Sequence, residues 1–121
     1  MALFYFAESK GLVRIGGRNR YEISVNLASR IGLPSRNIAV ISGEYKPGEK
    51  YLFLAEALLG GSLLSKQGGP LLLAARQGLP PQTDSFLQEQ RERDHIYQIY
   101  TIDGSQRINE KVISSLKEYL E

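Results

Sequence analysis

Asn37-Ile38-Ala39-Val40-Ile41-Ser42 reads in two ways, each with a different architecture behind it. Four apolar residues in a row between polar ends suit a strand buried on both faces, as in a parallel sheet. The same residues follow Leu27-Ala28-Ser29-Arg30-Ile31-Gly32-Leu33-Pro34, which looks like the second helix and turn of a DNA-binding helix-turn-helix. A recognition helix over 35–42 would need a cluster of Arg, Asn or Gln to read base edges. Ile38, Val40 and Ile41 occupy that segment instead, so we read it as a strand.

The flanking segments fit the strand reading. Short apolar pieces at 2–7 and 12–15, separated by Ser9-Lys10-Gly11, predict two strands around a turn. Tyr21, Ile23, Leu27, Ala28 and Ile31 recur at roughly helical spacing, and Gly32 with Pro34 beyond marks the stop. Gly43 to Lys50 reads as a loop. Tyr51 to Ser65 is apolar on most faces and long enough for a buried helix. Gly68-Gly69-Pro70 breaks the chain before a second buried strand, Leu71-Leu72-Leu73-Ala74, and Gln77 to Pro81 breaks it again. Thr83 to Arg91 predicts a helix with Thr83 or Asp84 near its start. His95 to Ile102 is rich in Ile and Tyr and predicts a third strand. After a turn at Asp103-Gly104-Ser105, Asn109 is placed to cap a helix with Val112, Ile113, Leu116, Tyr119 and Leu120 on its apolar side. Strands alternating with helices predict an α/β fold: a three-layer parallel sheet with helices on both faces and a short N-terminal strand added. No linker or repeat divides the chain, so residues 1–121 are expected to form one domain.

Composition removes several chemistries. There is no cysteine, hence no disulfide, thiolate nucleophile or Cys-based zinc site. The lone histidine, His95, cannot make a multi-histidine metal site or a His dyad within one chain, and it reads as a strand-end residue. A Toprim-type magnesium site needs a Glu plus an Asp-x-Asp pair. Glu44 and Asp103 each follow a strand, but Ser105 stands where the second acid should be. Gly60-Gly61-Ser62 and Gly68-Gly69-Pro70 match neither phosphate-loop spacing, and serine-hydrolase motifs are missing. No catalytic residue, metal ligand or cofactor is therefore expected. Leu52 to Leu64 is too short to span a membrane.

Net charge is +2, but the cations are bunched. Between residues 10 and 36, Lys10, Arg14, Arg18, Arg20, Arg30 and Arg36 face a single acid, Glu22. Arg14 to Glu22 (RIGGRNRYE) sets three arginines and a glycine pair before a helix, where open N–H groups would favour an anion. So local a bias points to a surface site for an anionic partner more than to bulk nucleic-acid binding. The bland alternative is a solvated basic face.

Five segments in order resemble the cell wall binding repeat 2 family of Gram-positive S-layer and surface proteins. The family opens R-I-x-G-x-D-R-Y-E-T-A; residues 14–24 here are RIGGRNRYEIS. A strand ending S-G-E follows, matched by Ser42-Gly43-Glu44. F-A-D-A-L-S-A-x-P-L-A is matched by residues 54–64 (LAEALLGGSLL), and G-A-P-I-L-L-T by residues 68–74 (GGPLLLA), with Leu79-Pro80 downstream. The last is a strand, a glycine turn and I-S-x-x-V-x-x-x-L, matched from Ile96 to Gly104 and by Ile108-Asn109 through Val112 to Leu116. Asn19 stands where the motif has Asp, Ile23 for Thr, Glu56 for Asp and Ala74 for Thr; Asp103-Gly104 stands for paired glycines.

The resemblance implies a Toprim-like, broadly Rossmann-like domain without Toprim chemistry. It implies non-covalent anchoring to an anionic cell-wall polysaccharide or teichoic-type polymer. Carried over by position, the polymer site would include Arg20, with Arg14 and Arg18 beside it, and the triple apolar segment Leu71, Leu72 and Leu73. The bland reading of these leucines is core strand. Such repeats pack in threes, so a chain with one repeat is expected to be a homo-oligomer, a trimer before a dimer, meeting through the helix from Tyr51 and the turn at Gly68-Gly69-Pro70. The expected location is the cell wall or surface if the chain is exported, and the cytoplasm if this is the full-length protein. An intracellular assembly domain that kept the fold is the alternative function, and a nuclease or DNA-binding protein the third.

Overall fold

The computed structural model describes residues 6–9, 11–31, 36–94, 96–103 and 108–120. A hairpin of β1 (Phe6–Ser9) and β2 (Leu12–Ile15) leads into α1 (Arg20–Ile31). Then come β3 (Asn37–Ser42), α2 (Lys50–Gln67), β4 (Leu71–Ala74), α3 (Pro81–Asp94), β5 (Gln98–Thr101) and α4 (Glu110–Lys117), closing on a 3₁₀ turn, Glu118–Leu120. The segment 37–42 is thus a strand, and it is buried throughout. No recognition helix exists there.

β3 lies at the centre of a three-stranded parallel sheet in the order β4-β3-β5. Ala39 faces Leu71 on one side and Tyr100 on the other. Alternate residues of a strand point to opposite faces, and here they meet different partners. Ile38, Val40, Leu72 and Ala74 join Val25, Ala28, Phe86, Leu87, Val112 and Leu116 in one cluster. Ile41 and Leu71 lie instead near Gly60 of α2, where an added Cβ would sit 3.0 Å from Leu71 Cδ1. This double-sided burial is why both strands read as unbroken apolar runs.

The hairpin departs from the expectation of a strand added to the main sheet. β1 and β2 pair antiparallel with each other as a separate two-stranded sheet. Leu12 and Val13 stay exposed there.

Helix limits follow local chemistry. Asn109 Oδ1 accepts from Val112 N at 3.0 Å and caps α4 as expected. α3 starts earlier than predicted, at Pro81, because proline suits the first helical position, where no N–H is needed. The third strand is shorter than 95–102; Ile96 is a core residue ahead of it. His95, the Gly32–Pro34 stop, the Gly104-Ser105 turn, Lys10 and residues 2–5 lie outside the described residues.

α1 presents an unexpected face inward. Glu22, Val25, Asn26 and Ala28 are buried, while Ile23, Leu27 and Ile31 are exposed. Most of the apolar spacing therefore marks an outer stripe, and Val25 and Ala28 share the inner one with two polar residues. Their reason lies in the segment before the helix.

Candidate functional site

The segment 14–22 is built mainly to start α1. Asn19 is the N-cap: its Oδ1 accepts from Glu22 N at 3.0 Å. Asparagine caps as well as the family's aspartate does, so that departure costs the fold nothing. Glu22 returns the contact, accepting from Arg18 N at 2.8 Å and from Arg18 Nε at 2.9 Å. Asn26 Nδ2 reaches back to Gly16 O at 2.6 Å. Gly17 lies so close to α1 that a Cβ there would be 2.9 Å from Ile23 N. The N–H groups of Arg18 and Glu22 are therefore occupied from within, and the helix start is not the open row of donors that the glycine pair suggests.

The Arg18 guanidinium and backbone N–H hold the Glu22 carboxyl below its ordinary range. The fold prefers the charged form. This contribution is complete above the ordinary glutamate value and is lost as pH falls through the depressed one. Thermal midpoints measured from pH 7 down to pH 3 should fall more steeply for the parent than for Glu22→Gln. Equal slopes would show that the pair carries no acid-sensitive stability.

Residues 20–21 tie α1 to the carboxyl end of β3. Arg20 Nε donates to Gly43 O, and its guanidinium lies 5.2 Å from the Tyr21 ring centroid. The ring rests on Gly43, where an added Cβ would be 2.6 Å from Tyr21 Cε1. Next to it, Ser42 Oγ accepts from Glu44 N, and Glu44 Oε2 accepts from Arg76 N. Asn109 Nδ2 donates to Arg76 O, bringing α4 to the same end. Ala75 and Gly78 exchange backbone bonds and make a tight turn after β4.

A cleft of ≈ 490 Å³ opens here, between Asn19 and Tyr21 on one wall and residues of the segment 75–82 on the other. A second hollow, ≈ 340 Å³, is lined by Asp103, Ile108, Asn109 and Glu110. Sequence reading quotes Asn19, Tyr21 and Leu79-Pro80 only as parts of separate motifs, and nothing in their spacing shows that Tyr21 and the segment 75–82 face one another. The signal was positional: the break at 77–81 after a buried strand.

The predicted site residues fall in two groups. Arg14, Arg18 and Arg20 are all exposed, on β2 and around the start of α1. Arg18 is ion-paired with Glu22, whereas Arg14 has no ion pair among the described residues. Leu72 and Leu73 are buried in β4, and Leu71 is half-buried. Among the described residues no group of three or more His, Asp or Glu side chains could hold a metal ion, and no helix is long and apolar enough to cross a membrane.

Comparison with curated proteins and with solved structures returns no match. The family model for cell wall binding domain 2 matches residues 14–113, from the first arginine of the opening motif to Ile113 on α4. Its span takes in the helix-start motif, all three strands of the parallel sheet and the cleft, and on that match the chain belongs to the cell wall binding domain 2 family.

Proposed function

We propose that this chain is a single, non-catalytic domain that attaches to an anionic polymer of the bacterial cell wall. Family membership supplies the cell wall; exposed arginines in a segment nearly free of acids supply the preference for an anion. We further read the architecture as three layers of Toprim-like type, with α2 on one face of the sheet and α1, α3 and α4 on the other. The location that follows is the cell wall or surface.

Of the proposed polymer residues, Arg14 offers the most open charge, while Arg20 gives one N–H to Gly43 O and rests on the Tyr21 ring. Arg18 shares its charge with Glu22. Leu72 and Leu73 set β4 in place, and Leu71 is the one with surface left to offer. Binding to a teichoic-type polymer should weaken as salt rises, since exposed charges are screened beyond roughly 10 Å at 0.1 M. Arg14→Ala and Arg20→Ala should each weaken binding about threefold to tenfold in dilute buffer. Lys117→Ala, on α4, should leave it unchanged. Equal binding by all three variants, or indifference to salt, would reduce the arginines to a solvated face.

A homo-oligomer completes the proposal. Tyr51, Leu54 and Leu58 stand exposed along α2, and Ile23, Leu27 and Ile31 along α1. Two separate apolar stripes are what a head-to-tail ring requires, one for each neighbour. The turn at 68–70 has little to give to that contact, because Pro70 is buried and Gly69 is pressed against Asn37.

A further inference from the structure

The cleft opens at the carboxyl end of β4, the edge strand of the parallel sheet, against the start of α1. Ligands of open α/β sheets bind outside the carboxyl ends of the strands. The cleft is a broad, mostly open groove of ≈ 490 Å³.

The walls state the ligand's chemistry. Tyr21, Leu79 and Pro80 give apolar surface, and Asn19, Gln77 and Gln82 bring amides. An amide both donates and accepts, as does a hydroxyl. The cap uses Asn19 Oδ1 and leaves its NH₂ group as a donor. Burial raises the Tyr21 phenol above its ordinary value, so it stays neutral and can donate at physiological pH. None of the six carries a formal charge, which disfavours a bare ion and suits a ring with C–H faces and hydroxyls.

Charge stands at the rim instead. Arg20 lies against Tyr21, and Arg76 sits in sequence between the lining residues Ala75 and Gln77. On the far side of Arg76, which Asn109 bonds, Asp103 and Glu110 line the second hollow and would repel an anion.

The geometry points to a subsite for one neutral sugar unit of the wall polymer, with the adjoining phosphate or carboxylate on Arg20. This rests on the polymer-binding reading and adds what the arginines alone cannot: selection of the polymer by its sugar.

The probe is a glycerol-phosphate polymer carrying hexose substituents, compared with the same polymer after enzymatic removal of the hexose. The parent should bind the substituted polymer about tenfold more tightly, the worth of one or two amide hydrogen bonds. The double variant Gln77→Ala/Gln82→Ala should bind both polymers alike, near the parent's affinity for the bare one. The ratio is taken within each protein, so a partly unfolded variant does not distort it. A parent that binds both polymers equally, or a double variant that keeps the preference, would overturn the sugar subsite and leave the anionic reading standing. A parent that binds neither would overturn both.

Discussion

Gly69→Ala should lower the thermal midpoint by about 15 °C. Gly69 has φ +138°, a backbone region L side chains rarely adopt, and its missing side chain leaves room for the Asn37 carbonyl oxygen. A Cβ would overlap that oxygen, well inside the contact distance of carbon and oxygen, and backbone against backbone cannot rotate away. Strain at such φ and local overpacking each cost about 1–3 kcal/mol, so about 4 kcal/mol together. For a domain of this size that is about 15 °C, and a large share of a typical stability of about 5–15 kcal/mol. The control is Gly61→Ala. Gly61 lies within α2 with open space around its Cβ position, so alanine there should stabilise by about 0.5–1 kcal/mol. Like effects at both positions would mean that the approach of residue 69 to β3 is not needed for the fold.

Leu58→Asp should convert a trimer to monomers. Leu58 is 73 % exposed, so the change costs the isolated fold little. Within an apolar contact it removes about 2 kcal/mol of burial and adds the desolvation of a carboxylate. Together these weaken association at least a hundredfold. Sedimentation at micromolar concentration should give about three times the 13.5 kDa chain mass for the parent and the chain mass for the variant. Leu27→Asp on the α1 stripe should act likewise, and a mixture of the two variants should form a heterodimer, since each retains the surface the other lacks. A monomeric parent would remove the oligomer; a dimeric parent would remove the threefold arrangement; a mixture that stays monomeric would rule out a contact between the two stripes.

The strands were readable from sequence because β3 and β4 are buried on both faces. Ile38–Ile41 and Leu71–Ala74 have no polar residue to interrupt them. Asn109 was readable because a cap is a local hydrogen bond. The inner face of α1 was not, for a reason of the same kind turned around. Glu22 and Asn26 go inward beside Val25 and Ala28 to satisfy the N–H of Arg18 and the carbonyl of Gly16, while Ile23, Leu27 and Ile31 stay outside. Periodicity marks apolar positions without saying whether the core or a partner takes them. The hairpin was misplaced because strand propensity at 12–15 says nothing of which strand it pairs with. At the site, the arginines stood out by charge density, but the glycine pair misled. The N–H groups of Arg18 and Glu22 beside it are taken by Glu22 and Asn19, contacts that spacing suggests only once the helix start is fixed at Arg20.

Cosedimentation with purified Gram-positive cell walls, before and after their anionic polymers are stripped, tests the proposed attachment most directly. The protein should pellet with intact walls in dilute buffer, release as salt rises, and stay in the supernatant with stripped walls. Pelleting that survives stripping would place its target in the peptidoglycan, and failure to pellet with intact walls would contradict wall attachment itself.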